Sequence, residues 1–244
     1  MRIQVFGDLH GRNNWKERVD LTADKIIFLG DYVDSFTISD LQIIQNLQDI
    51  IAFKKEHIHK VALLLGNHDL MYYFLGERLF QCTGFRASYA NELHRLYSEN
   101  KHFFQVAFQI DKGYIDKTNV TYLFTHAGLS RLFLKKLQKK IPSDIIKIED
   151  NDYAKYLNTI FDSVPNYLAD ISFYRGGLEN WGGIFWADMK EFSKDSYIKG
   201  LSQIVGHQPI ENITIKEFGK DKIIWIDTES VREPIEEAVY NLEV

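Results

Sequence analysis

The sequence has one cysteine, Cys82, and only four prolines among its 244 residues. A single thiol allows no internal disulfide, so a core must hold the fold, and a reducing, cytoplasmic compartment is expected. Cys82 stands among aromatic and apolar residues and reads as a half-buried thiol rather than a nucleophile. There is no repeat, no low-complexity tract and no Pro/Gly/Ser linker. One domain spanning 1–244 is therefore the expectation. No apolar run is long enough to span a bilayer. The stretch Met1 to Phe6 is too short for a removable signal, so the acceptor patterns at Asn119 and Asn212 are read as chance. A positive charge excess is also missing. The net charge of −5 argues against sequence-blind binding to a nucleic-acid backbone, although a local basic patch would still be compatible with it.

With 45% hydrophobic residues there is enough apolar material for one sizeable core. Ile3 to Phe6, Lys25 to Leu29 and Val61 to Leu65 are continuous aliphatic runs, each ending at a glycine, as strands covered on both faces do. Between the second and third, Ser39 to Lys55 carries apolar residues at helical spacing, with Asp40 in its first turn. The first third therefore reads as α/β. An aromatic-rich, mostly helical insertion is expected at about 70–102. A strand over Phe103 to Ile110, a turn at Asp111-Lys112-Gly113, a strand over Val120 to Thr125 and a helix over Arg131 to Lys139 follow. A helical segment at about 143–170, a strand over Gln203 to Val205, and a hairpin of Ile213 to Phe218 with Lys222 to Ile226 complete the chain.

Five of the predicted strands end in residue types that ligate metals: Gly7-Asp8-Leu9-His10-Gly11, Gly30-Asp31-Tyr32-Val33-Asp34, Gly66-Asn67-His68-Asp69, His126-Ala127-Gly128 and Gly206-His207. Ligands of open α/β sheets gather beyond the carboxyl ends of strands. Any one of these pairs, taken singly, is an ordinary turn or a structural histidine. Taken together they hold four of the eight histidines, each after a buried strand. Carboxylate, imidazole and amide donors suit manganese, iron or zinc better than a thiolate metal. A shared carboxylate can hold two ions about 3.5–4 Å apart, a spacing that clamps a phosphate and activates water.

These motifs resemble the calcineurin-like metallophosphoesterase superfamily, most of all its phosphoprotein phosphatase branch and bacterial relatives that include diadenosine tetraphosphatases. Ile184-Phe185-Trp186-Ala187-Asp188 and Trp225-Ile226-Asp227-Thr228 are similar to two further segments of that branch. The resemblance implies a layered α/β (α+β) fold, a β-sandwich between helical layers. It implies two divalent ions, manganese first and iron or zinc as alternatives. Asp8 and His10 would hold one, Asp31 would bridge, and Asn67, His126 and His207 would hold the other. It implies hydrolysis of a phosphate ester by a hydroxide bridging the ions. His68 would be the general acid, kept cationic and oriented by Asp34. The expected partner is a phosphorylated substrate: a phosphoprotein, a nucleotide or a small phosphoester.

Three departures stand out. Pro209 stands where many members have a further ligating histidine. Ser35-Phe36 replaces the branch's Arg-Gly and removes a bidentate phosphate donor. Glu229 replaces a glycine near the end. Arg175, in Ser172-Phe173-Tyr174-Arg175-Gly176-Gly177, is the first replacement for the missing arginine and a substrate-binding candidate beside Asn67. Arg86 and Arg12 come after it. The main reading is a phosphomonoesterase. Two rivals are a phosphodiesterase or dinucleoside polyphosphate hydrolase, with bases stacking on Tyr72, Tyr73, Phe74, Phe80, Phe85 or Tyr89, and a non-catalytic binding protein. The aromatics also read as helical core, and the basic run Arg131 to Lys140 as a solvated helix face.

Overall fold

The structure is a computed structural model that describes residues 1–111, 120–142, 146–228 and 239–243. Lys112-Gly113 of the expected turn, Ser143 at the start of the expected helical segment, Asn119 and Glu229 lie outside these residues.

The elements in chain order are β1 (Arg2–Phe6), α1 (Trp15–Arg18), β2 (Lys25–Phe28), α2 (Asp40–Glu56), β3 (Val61–Leu64), α3 (Asn67–Tyr73), α4 (Ala90–Glu99), β4 (Phe104–Gln105), β5 (Ala107–Ile110), β6 (Thr121–Thr125), α5 (Arg131–Lys140), α6 (Tyr153–Ser163), β7 (Leu201–Val205), β8 (Thr214–Phe218), β9 (Asp221–Trp225) and β10 (Val239–Glu243). Short 3₁₀ turns fill several of the connections. Two five-stranded sheets result, ordered β10-β1-β2-β3-β4 and β5-β6-β7-β9-β8. β1 to β4 run parallel, as do β6, β7 and β9, while β10, β5 and β8 are antiparallel edges.

Alternation along the strands stacks these sheets. Ile3 and Val5 of β1, Ile27 of β2 and Leu64 of β3 turn toward Tyr122, Phe124, Ile204 and Ile224 of the second sheet. Phe6, Phe28 and Leu63 face the other way and pack with Ile43, Leu47 and Ile50 of α2. Val205, Ile223 and Trp225 cover the outer face of the second sheet with Phe192 and Phe218. Both faces of the central strands are covered, so their continuous apolar runs are accounted for. Ser39 caps α2 by accepting from the Gln42 amide at 3.3 Å.

Several expectations change in detail. The single strand over 103–110 is two, because the chain crosses from one sheet to the other at Val106. β4 pairs with β3, and β5 pairs with β6. At the crossing the Val106 and Ala107 amides donate to Asn158 Oδ1 (2.9 and 3.2 Å), and Asn158 Nδ2 donates back to the Ala107 carbonyl (2.9 Å). In the insertion at 70–102 α-helix forms only as α3 and α4, with short 3₁₀ turns at Arg78–Phe80 and Lys101–Phe103. Between α3 and α4 Gly76 and Gly84 adopt φ of +95° and +98°, which no helix tolerates. In the segment expected at 143–170, helix forms as α6 and a turn at Pro165–Leu168, preceded by Asp150 and Asn151 with positive φ. The hairpin of β8 and β9 closes on Gly219-Lys220, with Gly219 at φ +73°.

Candidate metal centre

Each ligand-bearing loop leaves the carboxyl end of its strand and is laced to its neighbours by backbone bonds. The Leu9 and His10 amides donate to the Asp31 carbonyl (3.1 and 2.8 Å), and the Gly11 amide donates to that of Tyr32 (2.8 Å). The Gly206 amide donates to the His126 carbonyl (2.8 Å), and the His207 amide to the Asp8 carboxylate (3.0 Å). Six non-glycine residues have positive φ among the described ones, and four of them are His10, Asp31, Asp34 and His207. Such backbone costs about 1–3 kcal/mol per residue and persists only where the surroundings impose it. Glycine is required at 66 and 206 by close approach: a Cβ at Gly66 would collide with Asp31 Oδ1, and one at Gly206 with Asp8 Oδ1.

The side chains converge. Ligand atoms of Asp8, His10 and Asp31 lie within 4.8 Å of one another, as do those of Asp31, His126 and His207, so Asp31 is common to both groups. Asn67 Oδ1 lies 2.8 Å from His126 Nε2. The tautomers follow from the backbone. His10 Nδ1 donates to the carbonyls of Val33 (3.0 Å) and Asp34 (2.8 Å), and His126 Nδ1 donates to that of Leu29 (3.0 Å). Both Nε2 atoms are thus lone pairs facing Asp31 Oδ2, at 3.8 and 3.4 Å.

This arrangement carries its own test of fit for a cation. His126 Nε2 has no proton to give, yet the oxygens Asn67 Oδ1 (2.8 Å) and Asp31 Oδ2 (3.4 Å) both face it. His207 Nε2 is buried without a hydrogen-bond partner. Acceptors gathered on a lone pair repel unless a cation sits among them. Burial holds His10 down at about 4 and His126 at about 3, and it lowers His207 well below the usual imidazole value, so all three rings are neutral donors. Burial, with Asp227 and Asp31 nearby, pushes Asp8 upward, and burial pushes Asp31 up to about 8. These carboxyls ionise readily only beside positive charge. The donor set fits divalent ions bound through oxygen and nitrogen.

Next to this cluster, His68 Nδ1 lies 3.0 Å from Asp34 Oδ2, and its amide donates to Asp31 Oδ1 at 2.9 Å. Burial lowers the imidazole's proton affinity, but the Asp31 charge and the bond to Asp34 outweigh it and hold His68 above its ordinary value. Asp34 Oδ1 accepts from Tyr72 Oη (2.5 Å) and Tyr89 Oη (2.8 Å). Sequence reasoning missed these tyrosines as a clamp and treated them as packing or base-stacking residues. Both are buried, while Phe85, stacked on Tyr72, is exposed. It also gave Asp69 no role. That buried carboxylate accepts from the amides of Asp31 (2.7 Å), Tyr32 (3.0 Å) and Gly66 (2.8 Å) and from Tyr97 Oη (2.7 Å), pinning the second and third loops together. The signal was its place in the Gly66-Asn67-His68-Asp69 turn.

The sequence of the calcineurin-like phosphoesterase family matches residues 1–232. The chain belongs to that family. No curated protein sequence matches it. Among solved structures, a cold-active protein-tyrosine phosphatase of a psychrophilic Shewanella species shares 16% identity at a TM-score of 0.58, covering 99% of this chain and 75% of its own. A protein serine/threonine phosphatase from Saccharomyces cerevisiae, similar to human phosphatase PP5, shares 14% identity at 0.52, covering 100% and 80%. At such identities the likeness is one of fold. As a calcineurin-like phosphoesterase the chain is a metal-dependent hydrolase of phosphate esters. Among the described residues no helix is long and apolar enough to cross a membrane.

The later segments also meet the site. The Ala127 amide donates to the Ile184 carbonyl (2.7 Å), and Trp186 packs edge-on to His207 with ring centres 5.5 Å apart. Arg175 Nη2 donates to the His207 carbonyl (3.1 Å) and Gln208 Oε1 (2.9 Å), while Nε lies 3.2 Å from Asp188 Oδ2. Arg175 is therefore tied to the His207–Gln208 turn and held by the acid of the Ile184–Asp188 segment. Asp227 is buried near Asp8.

Proposed function

We propose that this chain removes the phosphoryl group from a phosphomonoester, with two divalent ions, manganese first among them. The observation that supports this most is that Asp31 belongs to both ligand groups while the His68–Asp34 pair stands beside them. Asp8, His10 and Asp31 would hold one ion, and Asp31, Asn67, His126 and His207 the other. When bound, such ions supply Lewis acidity toward the phosphoryl oxygens and lower the pKa of water.

The chain's own residues do the rest. His10 and His126 keep their Nε2 lone pairs turned inward because the carbonyls of Val33, Asp34 and Leu29 take their other protons. His68 carries a proton on Nε2 and delivers it to the departing oxygen, while Asp34 holds its Nδ1 proton. Tyr72 and Tyr89 fix the Asp34 carboxylate so that its second oxygen stays on His68. Arg175 has no partner for Nη1 among the described residues and offers that edge to a phosphoryl oxygen. A reducing, cytoplasmic setting suits the half-buried free thiol of Cys82.

The reading is tested by rates with added manganese on a phosphopeptide, an aryl monoester, an aryl diester and diadenosine tetraphosphate. Monoesters should turn over fastest. Preferential cleavage of the diester or the tetraphosphate would replace this reading with the other chemistry.

A further inference from the structure

A cavity of about 330 Å³ opens beside the cluster, and His10, Asp34, His68, Arg12, Arg86 and Thr83 are among the residues that line it. That is the small end of the range for small-molecule sites. Its two guanidinium groups differ. Arg86 is committed, with Nη1 2.6 Å from Asp40 Oδ1 and Nη2 bonded to the Ser35 carbonyl. Arg12 is not. Its guanidinium has one hydrogen bond, from Nη1 to the Leu9 carbonyl at 3.3 Å, and no carboxylate within ion-pair distance among the described residues. Its Nε is buried and has no hydrogen-bond partner. The one carboxylate lining the cavity, Asp34, is already occupied by His68, Tyr72 and Tyr89. The cavity therefore carries an uncompensated positive charge, with the hydroxyls of Ser35, Thr37 and Thr83 around it.

We infer that Arg12 is a specificity-determining residue that binds a second phosphate carried by the leaving group. The favoured substrates are then compounds that keep a phosphate after losing their terminal phosphoryl group, such as nucleoside diphosphates. The assignment rests on the proposed function, because it takes His68 to mark the leaving-group side. In the reaction, water adds to the terminal phosphorus and the bond from phosphorus to the bridging oxygen breaks. That oxygen leaves with the bond's electron pair and takes the His68 proton, while Arg12 holds the phosphate that departs with it. A guanidinium without a carboxylate partner, placed in a cavity of this size, suits an anion.

The test compares manganese-loaded wild type with Arg12→Gln and Arg12→Lys on ADP and on p-nitrophenyl phosphate, whose leaving group has no second anion. Losing a charge-assisted hydrogen bond should lower the ratio of kcat/KM for ADP to that for p-nitrophenyl phosphate by about 10- to 150-fold in Arg12→Gln, and by less in Arg12→Lys. A ratio unchanged in Arg12→Gln would overturn the assignment. If wild type hydrolyses neither compound, the phosphomonoesterase reading itself falls. Calorimetric binding of AMP then decides for Arg12, with weaker binding by Arg12→Gln expected and equal binding overturning it.

Discussion

At the scale of the residue, neighbours fix where the protons of the site stand. In the proposed reaction His68 gives one up while Asp34 holds its far nitrogen, and Asp34 is itself held by two tyrosine hydroxyls. Replacing His68 with Asn should cut kcat on alkyl phosphates by about 10²- to 10⁴-fold, the usual worth of a general acid. The loss should be smaller on p-nitrophenyl phosphate, whose leaving group needs less help, and metal content should stay at the wild-type level. Full activity on an alkyl phosphate would refute the assignment. Tyr72→Phe removes one hydrogen bond to a buried carboxylate and should destabilise the chain by about 1.5–3 kcal/mol in denaturant titration. The candidate metal-ligating residue types were legible in the sequence because each motif stands at the end of an apolar run, four of the five after a glycine and His126 directly after Thr125. Tyr72, Tyr89 and Asp69 were not, since their partners Asp34, Asp31 and Tyr32 lie far off in sequence and come close only through the parallel pairing of β2 with β3 and the packing of α4 on α3.

At the scale of the element, period and punctuation revealed β1, β2, α2, β3, β6, α5 and the β8–β9 hairpin to within a residue or two. They failed where tertiary contacts decide. Val106 lies in a mainly apolar stretch with no turn residue to mark a break, and the bonds that hold the crossing there come from Asn158, on a helix 52 residues later. Asn158→Ala would leave the buried amides of Val106 and Ala107 unpaired, at about 1–3 kcal/mol for each orphaned group, read as a fall in the unfolding midpoint. A change under about 0.5 kcal/mol would show the crossing to be held by other contacts. β10 went unpredicted because it is a short edge strand with mixed exposure, and only its antiparallel register with β1, from Arg2 opposite Glu243 to Phe6 opposite Val239, defines it.

At the scale of the whole molecule, the two sheets bring five strand ends to one edge and concentrate there a charge that the chain does not neutralise by itself. This has a consequence for stability with pH. Asp31 binds its proton more tightly folded than unfolded, with its pKa raised to about 8, so its contribution is full in acid and is lost as pH rises through 8. His10 and His126, lowered to about 4 and about 3, act oppositely: their contribution is present above the ordinary imidazole value and is lost as pH falls through theirs. The metal-free chain should therefore be most stable near pH 6.5 and lose stability toward pH 8. Excess manganese should flatten that alkaline limb, because the carboxylates then ionise beside a cation. Thermal melts from pH 5 to 9, with and without manganese, read this directly. An alkaline limb unmoved by metal would mean that the carboxyls do not face the ions.

The shared carboxylate is the point on which all of this depends, and metal analysis of wild type against Asp31→Asn tests it most directly. After loading with manganese and removal of free ion, wild type should hold two ions per chain, and Asp31→Asn should lose affinity for both. A single ion in wild type, or two ions retained by Asp31→Asn at unchanged affinity, would contradict it.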